Sequence, residues 1–122
     1  KTYLREYVED KSLSKDGKTL YNMYCMSCHK EDGKGITGTF PPLVKTPTIE
    51  NKEKLIRIIL NGLHGKIKVN GVKYDQAMPS FKFLSDQEIA KIASYVRTGF
   101  GNSLSAIGET EVMLSRQDSI KN

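Results

Sequence analysis

The chain has no tryptophan, and only four phenylalanines and six tyrosines among its 122 residues. A core built from these side chains alone is short of large apolar bulk, so a further filler is expected. No stretch approaches the roughly 18 apolar residues that cross a bilayer. The most apolar run, residues 55–60, is interrupted by Arg57. No signal peptide is recognisable, and the chain opens on Lys1 rather than Met. It is therefore read as a mature or trimmed form whose targeting information would have been lost. Repeats and low-complexity segments are absent. Dense Lys/Arg clusters with interleaved aromatics are absent too, which argues against a nucleic-acid partner. With two cysteines, a disulfide scaffold is excluded.

What remains is ordinary for one globular domain: 38% hydrophobic and 27% charged residues. The net charge is +5, from 19 Lys and Arg against 14 Asp and Glu. The excess concentrates in residues 63–84, which carry four lysines against one aspartate. Such an imbalance bears on association rather than on fold.

The two cysteines stand in the run Cys25-Met26-Ser27-Cys28-His29. This C-x-x-C-H string is the attachment signature of c-type haem. Each thiol adds across one vinyl group of the porphyrin, and two intervening residues let both sulfurs reach adjacent vinyls. The adjoining histidine then projects under the iron as an axial ligand. Three other readings stay in view. A disulfide between Cys25 and Cys28 would close a very small loop and stabilise little. A redox dithiol needs a βαβ setting, whereas the residues before Cys25 read as helix and those after as loop. A zinc site would need Cys25, Cys28, His29 and a fourth ligand such as His64, but adjacent residues fit one tetrahedral ion awkwardly.

The expected second axial ligand is Met78, in Gln76-Ala77-Met78-Pro79, with His64 as its rival. The thioether of Met78 is a soft donor, and His/Met ligation raises a haem's reduction potential. Pro79 biases Met78 toward extended backbone. Met23, Met26 and Met113 read as filler, and His64, in Gly62-Leu63-His64-Gly65, as a surface residue at a helix end.

Helical periodicity predicts a first helix from near Ser14 into Cys25, a second over residues 51–61 with Leu55, Ile56, Ile59 and Leu60 buried, and a third opened by Ser85 and Glu88 as a capping box. The third buries Ile89, Ile92, Ala93 and Val96. Asn70-Gly71 between residues 66–69 and 72–74 predicts a β-hairpin, because both turn residues tolerate positive φ. Tyr3, Leu4, Tyr7 and Val8 form a stripe suited to a short amphipathic helix or to a tether. Residues 102–122 are polar, with a short helix near 109–116.

Taken together, residues 14–101 resemble a class I cytochrome c. Besides the attachment string, the resemblance rests on Gly17 and Tyr21 ahead of Cys25, on Phe40-Pro41-Pro42-Leu43, on Ala77-Met78-Pro79 and on Tyr95 in the last helix. The hairpin leading into Met78 is similar to small bacterial cytochrome domains that serve dehydrogenases and terminal oxidases. The resemblance implies an all-α fold around one haem c, bound by Cys25 and Cys28, with a small β-hairpin near residues 66–74. It implies His29 and Met78 as iron ligands, a hydrogen bond from the His29 ring to the Pro41 carbonyl, and Leu43 packed on the porphyrin. Residues 1–13 and 102–122 are then extensions outside the 14–101 haem domain.

With both axial positions filled, the implied role is one-electron transfer and not catalysis. Lys30, Lys34, Lys66, Lys68, Lys73 and Lys82 would rim the exposed haem edge and steer a monomeric carrier toward an acidic redox partner. Two alternatives follow: an electron-accepting domain or subunit of a larger oxidoreductase, and a haem sensor if Met78 does not ligate. Thioether attachment implies the periplasm or the outer face of the cytoplasmic membrane, with a membrane tether in a fuller protein.

Overall fold

The computed structural model describes residues 15–121, so the Tyr3–Val8 stripe lies outside the described residues. Six helices and one hairpin follow in order: α1 Gly17–Tyr24, α2 Met26–His29, α3 Pro47–Glu50, α4 Lys52–Asn61, β1 Ile67–Val69, β2 Val72–Tyr74, α5 Asp86–Thr98 and α6 Glu109–Lys121. The fold is mostly helical with one two-stranded antiparallel sheet.

Helix starts follow local chemistry. Asp16 accepts from the Thr19 amide and opens α1. Asn51 accepts from the Lys54 amide and opens α4. At α5 the capping box is complete, because Ser85 and Glu88 each accept the other's amide hydrogen. These caps satisfy donors that a helix start leaves without partners. The predicted apolar faces of α4 and α5 are buried, and α5 also buries Ala90 and Arg97. In the hairpin, Asn70 and Gly71 take φ of 49° and 84°, so Ile67 pairs Tyr74, and Lys68 directly opposes Lys73.

The framework is the crossing of α1 on α5. Gly17 lies so close to α5 that an added Cβ would stand 2.5 Å from the Lys91 carbonyl oxygen and 2.9 Å from the Tyr95 Cβ. Tyr21 is fully buried beside it, with ring centroids 5.4 Å from both Tyr95 and Phe100. Its hydroxyl donates to the Lys30 carbonyl at 2.7 Å and so ties α1 to the chain just after His29. Lys91 Nζ reaches the Lys15 carbonyl, 76 positions away in sequence.

Beyond α5 the chain stays on the body. Leu104 N bonds Arg97 O, Ile107 and Val112 are buried, and α6 lies against α4 and α5. The polar composition of residues 102–122 predicts something more peripheral. The docking face explains the difference: it presents Val112, Ser115 and Arg116, while Met113 and Leu114 point outward. Among the described residues that face is two-thirds polar, which leaves little hydrophobic stripe for sequence periodicity to detect.

Candidate haem site

A single cleft, in two lobes, separates α2 and the loop after it from α4 and the Met78 loop. Cys25, His29, Pro41, Leu63, Ile67 and Met78 line both lobes. The inner lobe is closed by Leu43, Ile49, Leu55, Ile59 and Val96. Cys28 lies on the other lobe, together with the exposed residues Ser27, Gln76 and Ala77. The cleft therefore has a dry, aliphatic end and a wet end at Cys28.

Each wall has a local cause. α1 ends at Tyr24, and the Cys28 and His29 amides both bond the Cys25 carbonyl, which curls α2 into one turn. That turn holds the two thiols and the imidazole on one short segment. The loop after it folds back through Gly35 N to His29 O at 2.9 Å and Leu43 N to Gly33 O at 2.6 Å. Asn102 fastens the far end of this loop, donating to the Leu43 and Val96 carbonyls at 2.8 Å each and accepting from the Lys45 amide.

His29 Nδ1 stands 2.8 Å from the Pro41 carbonyl oxygen. A carbonyl only accepts, so Nδ1 carries the hydrogen and Nε2 keeps its lone pair. Burial lowers the His29 pKa, and the Pro41 bond only partly opposes this. The ring is thus neutral, with its free lone pair on Nε2, as a metal-ligating imidazole must be. Burial, with a smaller contribution from Cys28, pushes the Cys25 thiol up to about 12. A redox dithiol needs a thiol shifted the other way, so the geometry disfavours that chemistry.

Met78 is held from two sides. Its amide and carbonyl pair with those of Leu63 at 2.9 and 3.0 Å. Gly62, at φ 77°, sits so near that a Cβ there would lie 2.5 Å from the Met78 carbonyl oxygen. This bridge to the end of α4 explains why Gly62 and Leu63 matter, although the sequence marks them only as a helix stop. After Met78, Phe81 N bonds Ile59 O at 2.9 Å, and Ser80 Oγ bonds Leu60 O.

His64 is exposed. Among the described residues, no three His, Cys, Asp or Glu side chains are grouped to hold a metal ion. Near the wet end, Tyr24, Phe81 and Phe83 form a triangle of ring contacts at 5.8–5.9 Å, and Phe83 is 70% exposed. The donor set in the cleft fits a covalently held porphyrin: two thiols with two residues between them, one neutral imidazole nitrogen, one thioether and an aliphatic lining.

The family profile for cytochrome c matches residues 14–100. The chain is 39% identical over 93 residues to cytochrome c-552 of Thermus thermophilus, covering 72% of this chain and 70% of that one. It is 37% identical over 95 residues to the cytochrome c subunit of the quinone alcohol dehydrogenase of Gluconacetobacter polyoxogenes, covering 75% of this chain and 20% of that subunit. It is 36% identical over 106 residues to the fructose dehydrogenase cytochrome subunit of Gluconobacter japonicus, covering 80% and 21%. The chain thus spans about a fifth of these dehydrogenase subunits.

Proposed function

The chain belongs to the cytochrome c family, an electron-transfer protein carrying covalent haem c, and on that premise we propose that Cys25 and Cys28 bind the haem while His29 and Met78 ligate its iron. The observation that carries this reading is the one cleft shared by Cys25, His29 and Met78, with the His29 lone pair free on Nε2. The bound group supplies a one-electron ferric/ferrous couple.

The chain's own residues do the rest. Pro41 fixes the imidazole tautomer through the 2.8 Å bond. Leu43 and the α4 face keep water from the inner lobe, which favours the less charged ferrous state. If His29 and Met78 fill both iron positions, none would remain for a substrate, which supports electron transfer rather than catalysis at iron.

Intact mass of the holoprotein is expected to exceed the polypeptide by one haem, with the added mass on a peptide containing residues 25–29. A holoprotein without covalent haem removes this reading and revives zinc or dithiol chemistry.

Electrons would enter and leave at the Cys28 end of the cleft, toward an acidic redox partner. The hairpin supports this. Lys68 and Lys73 oppose each other directly, and Lys66 lies on the same surface. Like charges facing across a strand pair are destabilising, so the arrangement carries a cost that solubility alone does not require. The second-order rate constant with an acidic partner should fall roughly tenfold or more between low and high ionic strength. A rate indifferent to salt is incompatible with lysine steering. A periplasmic or externally membrane-associated location agrees with this role. The similarity to dehydrogenase cytochrome subunits also supports a second reading, in which the same haem unit accepts electrons inside a larger enzyme.

A further inference from the structure

Helix α6 lies outside the stretch matched by the family profile, yet it reaches the strap that follows Met78. Residues 79–84 run from Met78 to the cap of α5. At their start they are tied to α4 through Phe81 N and Ser80 Oγ. At their end the ties come from one side chain of α6. Arg116 Nη1 donates to the Lys82 carbonyl at 2.9 Å and Nη2 to the Leu84 carbonyl at 2.8 Å. Its Nε donates to Asp86 Oδ1 at 2.7 Å, in the first turn of α5. All three guanidinium nitrogens are therefore used on one five-residue stretch, Lys82 to Asp86.

We propose that Arg116 is a positioning residue for the axial ligand: through the strap carbonyls it holds Met78 on the iron. The inference rests on Met78 being the ligand.

The physical case has three parts. First, Met78 is continuous with the strap, so a shift of residues 79–84 away from α4 would strain the two Met78–Leu63 hydrogen bonds that hold it. Second, Arg116 joins the moving carbonyls to the fixed start of α5, so lifting breaks two charge-assisted hydrogen bonds at once. Third, Arg116 does not float at a helix end. One turn back on the same face, Val112 is fully buried, and Ser115 is buried beside it. Glu111 pairs with Lys52 of α4 at 3.5 Å. An exposed ion pair would carry little energy. Here both side chains are 25% exposed, and two of the three bonds go to backbone, which cannot swing away.

The test uses ferric holoprotein and added imidazole, which enters only where Met78 has left. The wild type should show the weak far-red charge-transfer band of Met ligation, and Arg116→Ala should bind imidazole roughly tenfold faster or more. Arg116→Lys keeps charge but not the fork, and should fall between the two. Val112→Ala loosens the same helix through its apolar face and should stay within about twofold of wild type, since it leaves the clasp intact. Equal acceleration by Val112→Ala and Arg116→Ala overturns the clasp, because the effect then belongs to general loosening. A normal band with unchanged imidazole kinetics in Arg116→Ala overturns the clasp alone. Absence of the band from the wild type overturns both the clasp and Met78 ligation.

Discussion

Replacing Met78 by alanine is expected to lower the reduction potential by on the order of a tenth of a volt or more and to let carbon monoxide bind the ferrous protein. The thioether is soft and neutral, so it favours the ferrous state. An alanine leaves that face to water or to an added ligand. The backbone should hardly move, because Met78 is pinned by its two hydrogen bonds to Leu63 and by the close approach of Gly62. The variant therefore separates ligation from folding. Potentiometry and a carbon monoxide difference spectrum read the two effects. An unchanged potential with no adduct would eliminate Met78 as ligand and leave the sixth position to be found elsewhere.

Replacing Arg97 by methionine should cost about 3–5 kcal/mol of stability and lower the thermal midpoint of the holoprotein by roughly 10–20 °C. Arg97 is only 4% exposed. It donates to the Ile49 carbonyl at 2.7 Å, the Glu50 carbonyl at 3.1 Å and the Ser105 carbonyl at 2.8 Å. Methionine fills much of the volume and satisfies none of these acceptors. The damage should spread inward, because the α3 end that loses its donors carries Ile49, a wall of the inner lobe. Differential scanning calorimetry decides the matter, and a midpoint within a few degrees of wild type would refute this account of Arg97.

Arg97 also shows where sequence reasoning stops. Features made by neighbours in the chain were legible. The attachment string lies within five positions, the capping box within four, and the hairpin turn is two residues. Apolar faces at helical spacing were legible for the same reason, since period alone places them on one side. Bonds from a side chain to a distant backbone carry no such signature. Arg97 to Ile49 spans 48 positions and Arg116 to Lys82 spans 34. An arginine that caps carbonyls reads in sequence like any solvated arginine. The Leu63–Met78 bridge is equally silent, since backbone pairing does not depend on which side chains make it. Cys25, Cys28, His29 and Met78 stood out as candidates because their chemistry is rare, and the Pro41 carbonyl was legible from its short motif, whereas Leu63 and Asn102, which hold the surrounding loops, were not.

The contact of Lys91 with Lys15 also bears on the order of folding. Bringing together points 76 positions apart costs about 4 kcal/mol in loop closure. The crossing of α1 on α5 recovers this only when both helices have formed. Residues 25–29 follow directly on α1, so in a chain whose crossing has not yet formed they are a short, open peptide, accessible to whatever joins haem to them. The same crossing that frames the finished fold is thus also the step that closes it.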